Sequence, residues 1–153
     1  MYEIVIRAQI AAPIERVFDA LADHERFFRG RPIERCVVTT PGTPEKNGLG
    51  AVREVDVGGN HYVEEVVRFE RPRRFDYLVR SVTRGKRKLP VQHELGWLEL
   101  TETSAGTRID WRSRFRFRIP LLGLLLERVQ GPKIARVLER LLAQAKSELE
   151  AAP

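Results

Sequence analysis

The chain of 153 residues carries 27 Lys and Arg against 21 Asp and Glu, a formal charge of +6, and a single cysteine. That length can bury a core without disulfides or metals; one cysteine excludes an intramolecular disulfide, and no apolar run approaches the roughly eighteen residues of a membrane span. The charge raises nucleic acid or an anionic membrane as partners, but only five basic residues are lysine and the arginines spread over nearly every segment, the pattern of a solvated surface.

The opening Met1 to Ile10 alternates as a strand and lacks the basic start and apolar core of a signal peptide. Ala12-Pro13 then opens a helix, with Pro13 suited to the first turn and Val17, Phe18 and Leu21 on one face. A break near Asp23 precedes Phe27 and Phe28. Residues 34 to 40 are strand-like, and 41 to 48, with two prolines and two glycines, form a loop. Three strands follow at about 49 to 57, 61 to 70 and 74 to 84, separated by Gly58-Gly59-Asn60 and Arg71-Pro72-Arg73. A hairpin uses 91 to 103 and 107 to 118, turning at Ser104-Ala105-Gly106.

The last strand and the tail are the most informative. From Arg108 to Arg118 charged residues hold every even position while Ile109, Trp111, Ser113, Phe115 and Phe117 hold the odd ones, so one face is wet and one buried. From Pro132 on, Ile134, Val137, Leu138, Leu141, Leu142, Ala145 and Leu149 make one helical stripe that can cover the sheet. Between them lies an unusually apolar patch, Leu121 to Leu126. It is read as a short helix packed under the open end of the sheet or, more pointedly, as a pocket entrance or a contact for a membrane or partner. Gly131-Pro132 predicts a break before the final helix. The order is β, α, α, six β, long α. Short connections favour antiparallel neighbours, and a seven-stranded antiparallel sheet of this length should curl around the helix and leave a cavity between them.

This order resembles the START-like (SRPBCC) superfamily and, more narrowly, its polyketide cyclase/dehydrase-like branch. The residues that carry the likeness are Ala12-Pro13-Ile14-Glu15-Arg16-Val17-Phe18, Gly48-Leu49-Gly50-Ala51-Val52-Arg53, the stretch from Glu64 to Tyr77, Gly106-Thr107-Arg108-Ile109-Asp110-Trp111, and the leucine-rich tail. The resemblance spans nearly the whole chain and implies one α+β domain over 1–153 with a helix-grip (START/Bet v 1-like) fold. It further implies an interior pocket for a hydrophobic or amphipathic small molecule. Members of the superfamily include cyclases and lipid or hormone binders, so the fold does not choose the chemistry.

Alternation nominates pocket residues independently. On 51 to 57 Arg53 sits among Ala51, Val55 and Val57; on 61 to 69 Glu65 sits among Val63, Val67 and Phe69. If Gly58-Gly59-Asn60 is a three-residue turn, Arg53 faces Glu65 across the strands as an inner ion pair, and Tyr77 extends that row with its hydroxyl. Such convergent polar groups would orient a ligand; as a partly solvated structural pair they would have no catalytic part. Trp111 and Phe115 face inward, as core or as ligand contacts. A three-residue turn at 104 to 106 turns His93, Trp97 and Glu99 into the pocket, whereas a two-residue turn presents Leu98 and Leu100 instead; both remain open here. An inward His93 near Glu65 would make an acid/base pair conceivable.

His24 and His61, beside a helix break and a turn, are expected in solvent. Cys36 lacks a partner cysteine, metal-ligand spacing or a supporting base, and no metalloprotease, phosphate-loop or dinucleotide motif occurs, so no metal or cofactor is expected. The leading expectation is a cytoplasmic protein that binds a polyketide, isoprenoid or lipid-like molecule, as monomer or homodimer, without nucleic acid or stable membrane insertion. The alternatives are a polyketide cyclase or dehydratase using Arg53, Glu65, Tyr77 and His93, and a basic surface module whose binding to membrane or nucleic acid weakens with salt.

Overall fold

The computed structural model describes residues 1–30 and 32–152. Its elements run β1 (Tyr2–Ile10), α1 (Ile14–Ala22), α2 (His24–Phe27), β2 (Ile33–Thr40), β3 (Val52–Val57), β4 (Asn60–Glu70), β5 (Arg74–Arg84), β6 (Arg87–Lys88), β7 (Val91–Thr103), β8 (Gly106–Phe117) and α3 (Gly123–Ala151). The seven expected strands are all present, and β6 adds a two-residue ribbon folded back on β5. They form a curved, open antiparallel sheet in the order β1-β8-β7-β5-β4-β3-β2, with the long helix against it: a helix-grip fold.

Alternation works as expected on the two best-patterned strands. Ile4, Ile6 and Ile10 of β1 and Ile109, Trp111 and Phe115 of β8 are buried on one face, opposite a charged outer row. The arginines of that outer row are tied down by carboxylates. Arg114 donates to Glu3 at 3.1 Å, Arg7 to Asp110 at 2.8 Å, and Arg116 to Glu94 at 2.9 Å. Exposed pairs of this kind stabilise little, up to about 1 kcal/mol each. Their main effect is to match the cations of the convex face with carboxylates.

One structural expectation fails in the tail. The helix does not break at Gly131-Pro132 but runs unbroken over 29 residues, with Pro132 inside it. Pro132 lies on the exposed side, where the freed carbonyl one turn back can reach water. Gly131 faces the sheet instead, packed so closely on the Tyr2 ring that a Cβ would overlap it. Gly123, Glu127 and Gly131 therefore mark the face laid on β1 and β8, and the Glu127 carboxylate accepts the Phe117 backbone N–H at 3.2 Å.

The helix covers only part of the concave face. It packs on β1 and β8 and touches α1, and there Leu141, Leu142, Ala145 and Leu149 are buried with Ile4, Ile6, Ile10 and Ile109. In mid-helix, Ile134, Val137 and Leu138 are only partly buried, as are Cys36, Val57, Tyr62 and Val79 on the inner face of β2 to β5. The apolar lining of that half remains open to solvent.

Candidate functional site

The register of the β3–β4 hairpin decides which polar groups enter the interior. Val57 pairs with Asn60, so the loop is the two residues Gly58 and Gly59, both at positive φ (57° and 79°), as a tight hairpin turn demands. Arg53 consequently faces Glu64, and Glu65 faces the other way, where it accepts from Arg80 at 2.6 Å on the outer surface. The expected Arg53–Glu65 pair is thus corrected to Arg53–Glu64, shifted by the one residue that moves a side chain to the opposite face.

Arg53 is 2% exposed, and its Nε donates to the Glu64 carboxylate at 2.6 Å. Its guanidinium is flanked by the Phe28 ring at 5.5 Å and the Tyr77 ring at 5.3 Å. The buried Nη1 has no hydrogen-bond partner among the described residues. An ion pair held between aromatic faces with one donor left over is costly as pure architecture, since an orphaned buried donor forfeits about 1–3 kcal/mol.

Tyr77 is brought here by Gly96. Its ring lies across the Gly96 backbone, where any Cβ would collide with it, so an interior strand glycine marks a close approach that no larger residue permits. The Tyr77 hydroxyl accepts the Trp111 indole N–H at 3.0 Å and lies near the Ser113 hydroxyl. Burial pushes its pKa up to about 12, so it stays a neutral phenol near pH 7.

His93 enters by a route that neither turn length alone provides. Thr103 pairs with Gly106, so the β7–β8 turn is the two-residue Ser104-Ala105; Leu98 and Leu100 point inward, and Trp97 and Glu99 outward. Trp97, expected at the pocket if the turn were longer, instead lies on the convex face between the Arg114 and Arg74 guanidinium groups at 5.1 and 5.8 Å. A bulge at Glu94 then reverses the alternation, and His93, opposite Phe115, turns inward after all. Its ring stacks on Tyr77 at 5.4 Å.

The β5 and β7 strands pair only between Arg74–Tyr77 and Gly96–Glu99 and then separate. His93 spans the gap: its Nδ1 accepts the Val79 backbone N–H at 3.1 Å, replacing the lost ladder partner. Since that nitrogen accepts, Nε2 carries the proton and donates to the Ser113 hydroxyl at 3.0 Å. This tautomer does not make His93 a base toward Ser113. Burial drives its pKa down to about 4, so it is neutral at pH 7. Above the gap opens a cleft of about 660 Å³ with Val79, Val91 and His93 among its lining residues.

The remaining residues sort as follows. Trp111 and Phe115 are buried and inward as expected. His24, expected in solvent, is 2% exposed, packed against Phe28 and Phe75, with its pKa held well below the usual range by burial and then by Arg53. His61 is partly exposed and sits 2.6 Å from Asp56 on the outer side. The Cys36 thiol is pushed up to about 12 by burial, which makes it a poor nucleophile. Sequence reasoning missed Glu64 and Ser113 as members of the cluster. Glu64 was hidden by the turn length, whereas Ser113 stood in plain view as the one polar residue of the inward row 109 to 117.

A sheet gripping a terminal helix, with a polar floor under a half-covered concave face, defines a START-like protein. The sequence agrees over almost its full length: the chain belongs to the family described as polyketide cyclase/dehydrase and lipid transport, whose pattern matches residues 1–150. Solved structures share the fold. A Mycobacterium smegmatis START superfamily protein is 11% identical with a TM-score of 0.74, covering 100% of both chains. A Thermus thermophilus protein is 19% identical with a TM-score of 0.73, covering 98% of both. The Aha1 dimer from Colwellia psychrerythraea is 13% identical with a TM-score of 0.64, covering 98% of this chain and 97% of that one. No curated protein sequence matches the chain.

Proposed function

We propose that this protein binds a hydrophobic small molecule, polyketide-, isoprenoid- or lipid-like, against the half of the concave face that α3 leaves open, as a carrier or binding module. The observation that carries the reading is the buried Nη1 of Arg53, a donor without a partner beside an apolar lining that is partly exposed. The ligand's polar end would accept from Arg53, and its body would lie along Tyr62, Val79 and the mid-helix residues Val137 and Leu138. Arg53 is already neutralised by Glu64, so a ketone, ester or hydroxyl oxygen suits the donor better than a carboxylate, which would stand against Glu64.

A cyclase or dehydratase reading draws on the same cluster, because the hydrogen-bonded His93 and Ser113 lie with the Tyr77 phenol beside the ligand's expected polar end, three groups with exchangeable protons. The two readings part on turnover. Native mass spectrometry of protein purified from its own host, followed by organic extraction, tests both. A retained apolar molecule at near-stoichiometric occupancy supports binding, and its unchanged recovery after incubation supports a carrier. Conversion of that molecule, lost on Tyr77→Phe, would favour the enzyme. Protein that neither retains a molecule nor binds a solution-phase apolar fluorophore would overturn the proposal.

A further inference from the structure

The positive charge is sorted in space. On the convex sheet face cations are matched by carboxylates, but the four between residues 84 and 88 make no ion pair among the described residues, nor do Arg118, Arg128, Lys133 and Arg136. These eight gather at one end of the molecule; Arg16, Arg26 and Arg140, which likewise make no ion pair among the described residues, lie apart from them, with Arg16 and Arg26 beside the C-terminal end of α3. Arg118 donates its backbone N–H to Pro90, directly after the β5–β6 ribbon, and Arg118 leads straight into α3.

The same end carries most of the exposed large apolar side chains among the described residues. Leu121 is fully exposed and held at φ 63°, a backbone conformation that a leucine rarely adopts, while Leu122, Leu124, Leu125 and Val129 are all about half exposed. Leu121 and Leu122 lead into α3, and Leu124, Leu125 and Val129 are exposed on its first turns, away from the buried Gly123 and Glu127; the row continues into Arg128, Lys133 and Arg136. A leucine tip collared by unmatched cations has two physical demands, an apolar phase and a negative surface, and an anionic lipid interface meets both. A symmetric contact with a second copy meets only the first, because it brings the cations of one collar against those of the other.

We propose that the Leu121–Val129 segment and its basic collar dock peripherally on an anionic bilayer. The cleft between β5 and β7 shares Lys88 and Arg118 with this end, so docking would set its mouth against the lipid. The docking stands on the surface alone; its purpose, exchange of an apolar ligand with the membrane, rests on the binding function proposed above.

The test is co-sedimentation with phosphatidylcholine vesicles made with and without phosphatidylglycerol, at low and high salt. Wild type is expected to bind the anionic vesicles at least about tenfold more tightly, with the preference lost at high salt, since each cation near such a surface is worth about 1 kcal/mol. Leu121→Glu with Leu125→Glu should abolish binding, while thermal melting and fluorophore binding in solution stay as in wild type, because both leucines are exposed. Vesicle binding indifferent to phosphatidylglycerol, or unaffected by the leucine changes, would overturn the proposal. So would a salt-insensitive dimer, seen by light scattering, that the leucine changes dissociate. Vesicle docking without fluorophore uptake would sink the ligand-binding function and leave the docking surface standing.

Discussion

The two halves of the concave face are built from the same strand chemistry yet serve different ends. Under α3, β1 and β8 present Ile4, Ile6, Ile10 and Ile109 to Leu141, Leu142 and Leu149, and the result is a closed apolar core. Away from the helix, β3, β4, β5 and β7 present Arg53, Glu64, Tyr77 and His93, all buried or largely so, beside apolar residues that keep some solvent contact. The contrast teaches that coverage, not composition alone, separates core from site. Where the helix seals the sheet the lining is apolar apart from Glu127, which the Phe117 N–H and the Met1 amine hold; where it does not, several polar groups are tolerated because they pair with one another.

Experiments can press on that contrast. The largest effect is expected from Arg53→Ala, which strands Glu64 in the interior and should cost about 3–5 kcal/mol in urea unfolding. The paired change Arg53→Met with Glu64→Leu should recover most of that stability while ligand binding stays lost. If the paired change still binds ligand normally, the ion pair is architecture only. Leu142→Ala in the sealed half should cost about 2–5 kcal/mol through lost contacts and a residual cavity, with ligand affinity in the surviving folded protein unchanged. A matching loss of affinity would erase the distinction between the halves.

The response to pH is of intermediate size. His93 ionises at about 4 in the folded protein against 6.5 in an exposed histidine, so between those values the unfolded chain binds more protons. Stability should therefore fall as pH drops from about 6.5 toward 4, by at most about 3 kcal/mol from this residue. His93→Gln should flatten part of that slope, with buried His24, shifted the same way, supplying more of it. An unchanged slope in that variant would mean that His93 is not held neutral by burial. The smallest effect belongs to the outer face: Glu65→Gln should change stability by less than about 1 kcal/mol and leave ligand binding intact, because its partner Arg80 is solvent-exposed. A loss of ligand binding there would restore Glu65 to the site.

Much of the architecture was legible beforehand. The alternation from Arg108 to Arg118 and the stripe from Ile134 to Leu149 announced a one-sided sheet and the helix that covers it. Trp111, Phe115, Tyr77 and Arg53 were rightly assigned to the inner face, because strand period is robust within an uninterrupted strand. Within the strands the errors fell where period is interrupted; elsewhere the expected break at Gly131-Pro132 did not occur and His24 proved buried rather than solvated. The Gly58-Gly59 turn sent Glu64 rather than Glu65 inward, and the bulge at Glu94 brought His93 in while Trp97 stayed out.

The sequence by itself thus determined the strand and helix order and the apolar faces, since these rest on periodicities that local sterics impose, while the family rests on the resemblance of particular motifs and on the match over residues 1–150. Tertiary structure alone decided which carboxylate meets Arg53, how far α3 reaches across the sheet, and where the unmatched cations collect. A one-residue change in a turn or bulge alters hardly any local preference, yet it moves a side chain from one face of the sheet to the other. Only the packed fold, in which a misplaced charge or leucine has a definite cost, selects between them.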